Sequence, residues 1–227
     1  MSKNMSPREF IIEIMDYMVK TGLTDYTGGN MALRKGEKIY STPSGASIYS
    51  RWKMEPEEII VTDIDQNVLE GDKDKVSSES GLHHGVLKRF PHINCSIHGN
   101  THYSPLLASR GVRLEGIRDE AKAFRVKEIL VVPEDFPMFS DEEKDYIYNG
   151  FAENVKKGEA LVAVMHNHGT LVAHEDPDMA FVLFNAVEEN SKYIYEREVL
   201  VTAARVKDIA GRLDHISGIL KRLSIRD

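Results

Sequence analysis

The residue types that could do chemistry in this 227-residue chain concentrate in three short segments: Ser77-Ser78-Glu79, His98-Gly99-Asn100-Thr101-His102 and Asn167-His168-Gly169. They offer one carboxylate and up to three imidazoles, a donor set suited to zinc or to another divalent ion such as manganese or cobalt. On an extended chain, residues 98, 100 and 102 project from one face. His98 and His102 are therefore both candidates for one site, with Asn100 between them. The remaining histidines, His83, His84, His92, His166, His174 and His215, are assigned no role.

A second set of segments could hold an oxyanion through backbone N–H and hydroxyl groups: Gly28-Gly29-Asn30, Thr42-Pro43-Ser44-Gly45 and Ser77-Ser78. Glycine lets a backbone approach a ligand closely. Ser77-Ser78 fall where a helix is expected to start, and the dipole there favours negative charge.

The elements that must position these groups follow from periodicity and punctuation. Ser6-Pro7-Arg8-Glu9 reads as a capping box opening a helix with Phe10, Ile11, Ile14, Met15 and Met18 at helical spacing, stopped by Gly22. Short extended pieces follow at Met31–Arg34, Lys38–Ser41 and Ile59–Thr62, with turns at Lys35-Gly36 and Asp65-Gln66-Asn67. A helix is expected from Ser77-Ser78 to Phe90, a strand over Ile93–His98, a short helix over Ser104–Ser109 and a strand over Glu128–Val132. Asp141–Lys157 reads as helix, Leu161–His166 and Thr170–Ala173 as strands around a tight turn, and Asp176-Pro177 as the start of a helix to Val201. A separate amphipathic helix is expected over Val206–Leu223. Cys95 reads as a small core residue, Glu188-Glu189 as a solvated helix face, and Trp52 as either packing or interface.

Composition sets the outer bounds. With 41% hydrophobic and 29% charged residues the chain can close a sizeable core, and one α/β domain over residues 1–227 is the economical expectation. The net charge of −7 argues against general nucleic-acid or anionic-membrane binding. A single cysteine excludes an internal disulfide and fits a reducing compartment. Neither a signal-peptide core at Met1–Ser6 nor a membrane-length apolar run is present, so a soluble cytoplasmic protein is expected.

The ordered series Gly-Gly-Asn, Thr-Pro-Ser-Gly, Ser-Ser-Glu, His-x-Asn and Asn-His-Gly, spread from about Thr24 to Glu198, resembles the class II aldolase/adducin family, which includes fuculose-phosphate aldolases and ribulose-phosphate 4-epimerase. The resemblance implies a three-layer α/β/α fold around a central, largely antiparallel mixed sheet, a homotetramer, and a site at a subunit boundary. It implies phosphate binding by Asn30, Ser44, Gly45, Ser77 and Ser78, and metal ligation by Glu79, His98, position 100 and His168, with Glu79 also an acid/base. This chain departs from the pattern at position 100, where Asn replaces His. His102 then takes the place, Asn100 serves a harder cation, or the site has lost metal. It also lacks the aldolase tyrosine expected near residue 119, where Ile117-Arg118-Asp119-Glu120 stand, and any tyrosine beyond Tyr195. Asp119 or Glu120 is the candidate substitute acid, set against a plain charged turn. The implied activity is metal-dependent cleavage of a phosphorylated keto-sugar through a metal-stabilised enediolate. The alternatives are a sugar-phosphate 4-epimerase and a non-catalytic adducin-like assembly module.

Overall fold

Helix α1 (Pro7–Thr21) starts on the expected capping box, with Ser6 and Glu9 each accepting the other's backbone N–H, and ends at Gly22 in the left-handed conformation. Its five apolar positions at helical spacing are all buried. The computed structural model describes residues 5–224; Met1–Asn4, part of the segment read above for a leader sequence, lie outside the described residues. The chain divides into two units, one reaching Ser191 and the other starting at Lys192. No helix among the described residues is long and apolar enough to cross a membrane.

In the first unit, eight strands form one sheet. They are β1 (Asn30–Lys35), β2 (Lys38–Ser41), β3 (Ile60–Thr62), β4 (Val68–Glu70), β5 (Cys95–Gly99), β6 (Leu130–Val132), β7 (Leu161–Met165) and β8 (Gly169–His174). The order is β4-β3-β2-β1-β5-β8-β7-β6. Every neighbouring pair is antiparallel except β6 with β7.

Register decides which side chains meet, because directly opposed residues of an antiparallel pair share a face. Asn30 opposes His98 and Ala32 opposes Ser96; on the other side His98 opposes Leu171 and Ser96 opposes Ala173. This face is covered by α2 (Ser80–Arg89) and α5 (Asp141–Lys157), whose Leu82, Val86, Leu87, Ile147 and Phe151 pack with Ala32, Ala163, Leu171 and Ala173. Met31, Leu33, Ile97, Val162 and Val172 point the other way and are buried beneath α1 and α3 (Tyr103–Ser109). The result is the expected three-layer α/β/α arrangement.

Local departures from the sequence expectations have simple causes. Helix α2 begins at Ser80 because Ser77-Ser78-Glu79 stays a turn, with the Glu79 N–H on Ser77 Oγ and the Ser80 N–H on the Ser77 carbonyl. Arg118 is the N-cap of a short helix α4 (Asp119–Ala123) where a turn was the alternative. The expected break between Val201 and Val206 is absent: α6 runs from Pro177 to Ser224. The intervening Thr202-Ala203-Ala204-Arg205 contains neither Gly nor Pro, and alanine favours helix. Trp52 resolves to packing; it is buried and its ring N–H donates to the Asp25 carbonyl at 2.8 Å.

Candidate functional site

His98 is delivered by the last turn of pleat in β5, Glu79 by the turn before α2, and His168 by the tight turn between β7 and β8. In that turn Asn167 adopts a left-handed φ of 52°, a conformation asparagine tolerates better than most residues. Gly169 leaves room for the neighbouring ring: a Cβ there would stand 2.9 Å from His98 Nε2 and 2.3 Å from the Gly99 carbonyl oxygen. One donor atom from each of Glu79, His98 and His168 lies within 4.8 Å of the other two. The two imidazole rings sit 4.7 Å apart, edge to face.

The donor groups of this trio are not satisfied by one another. His98 Nδ1 lies 2.7 Å from Glu79 Oε2, but off the line a ring N–H would need, so neither His98 nitrogen has a hydrogen-bond partner; nor has His168 Nδ1. Buried polar atoms are almost always partnered, and an unpartnered nitrogen on each of two imidazoles beside a carboxylate is what a cation site presents. Ion–donor distances near 2.1 Å put two ligands at most about 4 Å apart, so closure needs shifts of under about an ångström. The residues therefore fit a divalent ion. Burial pushes the His168 imidazole down to about 4, helped by His98 and opposed by Glu79, so it is neutral and ligand-competent at pH 7. Burial by itself would raise the Glu79 carboxyl; His98 and the hydrogen bond from Asn30 outweigh it and hold the group at about 2.

Behind Glu79 runs a directional relay that the sequence reading passed over. Asn30 Nδ2 donates to Glu79 Oε2 at 2.6 Å. The same amide's Oδ1 is then free to accept from His83 Nε2, a short contact, while His83 Nδ1 meets Ser96 Oγ at 2.8 Å. His83 is buried and held at about 3, chiefly by desolvation, so it is neutral. With Nε2 the donor, Nδ1 must accept from Ser96. The chain Ser96→His83→Asn30→Glu79 thus fixes one carboxylate orientation. The spacing Glu79-x-x-x-His83 puts His83 one turn into α2 from its N-cap, but spacing alone does not place Ser96 or Asn30 beside it.

The structure does not bring His102 to the trio. β5 ends at Gly99, so the one-face geometry expected for residues 98, 100 and 102 stops before it reaches 100. Glu188, buried on α6 rather than solvated as expected, accepts from the N–H groups of His102, Tyr103 and Ser104 at 3.0, 2.6 and 3.2 Å and from Ser104 Oγ at 2.8 Å. That carboxylate turns the chain into α3 and leaves the His102 side chain exposed. Asn100 sits beside the Asp25 loop, its Nδ2 donating to Asp25 Oδ1 and Thr27 Oγ1 at 3.2 and 3.0 Å, with Oδ1 buried and unpartnered. Asp119 and Glu120 lie in the first turn of α4; they pair with Lys122 and Arg118 and touch no member of the trio in their own chain.

The three candidate anion segments do converge. Asn30 reaches Glu79, the Ser44 N–H donates to the Lys75 carbonyl at 2.7 Å, and the Thr42 N–H donates to the Met31 carbonyl at 3.1 Å. Gly45 carries a φ of 75°, and the Tyr49 ring occupies the space a Cβ would need. Among the described residues, the backbone N–H groups of Gly45, Ser77 and Ser78 donate to no protein acceptor. Asn30, by contrast, has both ends of its amide engaged by Glu79 and His83.

A mixed, mainly antiparallel sheet between helical layers, carrying a glutamate and two histidines at the end of its central strands, defines a class of α/β proteins with a candidate metal centre. Residues 9–195 match the family described as Class II Aldolase and Adducin N-terminal domain, and the chain belongs to that family. It is similar to the L-fuculose phosphate aldolase of Methanocaldococcus jannaschii, 29% identical over 169 residues that cover 73% of this chain and 83% of that protein. It is also similar to the 5-deoxy-D-ribulose 1-phosphate aldolase of Bacillus thuringiensis, 26% identical over 192 residues covering 83% and 84%. Among solved structures, an L-fuculose 1-phosphate aldolase superposes with a TM-score of 0.73 at 24% identity, covering 88% of this chain and 91% of that one. The L-fuculose-1-phosphate aldolase of Thermus thermophilus gives 0.70 at 17% identity, covering 86% and 95%. The structural likenesses speak for the fold.

Proposed function

We propose that this protein is a metal-dependent aldolase that cleaves a phosphorylated keto-sugar through an enediolate. The observation carrying this reading is the meeting of Glu79, His98 and His168, with unpaired imidazole nitrogens, next to loops that present free N–H groups. The names of the relatives, which act on fuculose and deoxyribulose phosphates, support the substrate class.

Glu79, His98 and His168 would hold the ion, zinc or another divalent metal, with Asn100 and His102 outside that trio. A divalent cation there supplies Lewis-acid polarisation of the ketose carbonyl. Gly45, Ser77 and Ser78 bind the substrate phosphate through their N–H groups, with the Ser44 and Ser78 hydroxyls beside them. Glu79, oriented by Asn30, moves the proton at the enediolate carbon. Asp119 or Glu120 supplies the acid for the aldehyde oxygen, in a homotetrameric cytoplasmic enzyme whose site lies at a subunit boundary.

The test is elemental analysis of protein purified without added metal, native and His98→Ala, with product chromatography on ketose phosphates. Near-stoichiometric metal in the native protein, little in His98→Ala, and aldehyde release by the native protein are expected. No metal in either after incubation with zinc, manganese or cobalt would end this reading; an epimerised ketose in place of an aldehyde would redirect it to the epimerase.

A further inference from the structure

Beyond the family match, which ends at residue 195, the second unit continues α6 to Ser224. Most of its large apolar residues follow one stripe, with Leu200, Val201 and Ile219 exposed off it. Val199, Val206, Ile209, Leu213 and Ile216 fall on alternating steps of three and four, the a and d positions of a heptad repeat with Thr202 as the remaining d, and in the sequence Leu220 and Leu223 continue it. In the described structure the five apolar residues up to Ile216 are between 48% and 60% exposed. At that exposure each uncovers roughly 100 Å², so two such helices would bury up to about 1,000 Å² of apolar surface, the lower bound for a specific interface.

Two further features identify what covers the stripe. Gly211 and Gly218 recur at the outer f position, where they weaken an isolated helix; a helix so built depends on pairing along its seam. The flanking e positions are small, Ala203, Ala210 and Ser217, while the g positions carry Arg205, Arg212 and Ile219. Parallel pairing sets each g residue against the partner's next e residue, so Arg205 meets an alanine and Arg212 a serine. Antiparallel pairing sets g against g and draws the arginines together. Small e residues also let two backbones close on the seam.

We propose that residues 199–223 form a parallel coiled coil with the same helix of a second copy of this chain, an oligomerisation element added to the aldolase-family domain. It is about 37 Å long at 1.5 Å per residue.

The full chain tests this by cysteine cross-linking, since Cys95 is buried. Ile216→Cys, on the seam, should form inter-chain disulfides under mild oxidation, because identical d positions face each other only in a parallel, in-register pair. Asp208→Cys, on the outer face, should form at least tenfold fewer, and adding Leu213→Asp to Ile216→Cys should suppress its cross-link to that level. In sedimentation velocity the native chain should be an assembly, with Leu213→Asp dissociating at a protein concentration at least tenfold higher. A monomeric native chain, or Ile216→Cys cross-linking no better than Asp208→Cys, would overturn the proposal.

Discussion

Asn30→Asp replaces the amide nitrogen facing Glu79 with a carboxylate oxygen of nearly the same shape. In the native protein that nitrogen donates across 2.6 Å to a side chain only 12% exposed. Two unit charges at this distance repel by roughly 6 kcal/mol at an effective dielectric near 20. At 1.36 kcal/mol per pKa unit, that is between about four and five units, enough to lift the pair from the native Glu79 value of about 2 to roughly 6 or 7 and trap one proton between the oxygens. The sign of the pH dependence then reverses. Native Glu79, depressed below its ordinary value, contributes stability above the carboxylate range and loses it as pH falls toward 2. The variant pair, raised above its unfolded value, is best tolerated at acid pH and loses stability as pH rises, by about 1.4 kcal/mol per unit until it ionises. Between pH 5 and pH 8 this removes about 2 kcal/mol, or a Tm decrease of about 4–8 °C relative to the native chain in a domain of this size. Thermal unfolding in EDTA at the two pH values measures it. Parallel curves for variant and native protein would show that the Asn30 amide does not face Glu79.

Other perturbations probe the remaining parts of the site. Ser77→Asp should raise KM for a phosphorylated substrate more than tenfold, with a smaller change in kcat, because a like charge enters the anion cradle; steady-state kinetics on a ketose phosphate decides. His168→Ala should abolish stoichiometric metal and His102→Ala should leave it unchanged, as read by elemental analysis. With the His168 imidazole held at about 4, its ring-proton resonance in EDTA should not titrate between pH 7 and pH 5.5. Glu188→Ala strips the acceptor from three backbone N–H groups and a hydroxyl; a cost of about 3–5 kcal/mol is expected, a Tm decrease of roughly 6–20 °C by calorimetry.

Local signals carried far in this chain. The capping box at Ser6, the Gly22 stop and the helix over Asp141–Lys157 were legible because caps and 3.6-residue periodicity are written in neighbouring residues. The pairing of Glu79, His98 and His168 needed short motifs in a familiar order rather than physics alone, since spacing says nothing about which strands become neighbours. Position 102 shows the limit: a period-2 rule held to Gly99 and failed one residue later, because the group that ends the strand, Glu188, is 86 residues from His102 in sequence. His83 was missed for the same reason. Its value lies in Ser96 and Asn30, which only the sheet register places beside it.

The opposition of Asn30 to His98 across β1 and β5 has a kinetic corollary. A shift of one residue between these strands would send Asn30 to the α1 side and leave the carboxylate cage open. The ion-holding pocket is thus assembled only after a long-range closure of the chain, so capture of a cation during refolding would time the arrival of the correct strand alignment, and a misaligned product would be recognisable as one that cannot load.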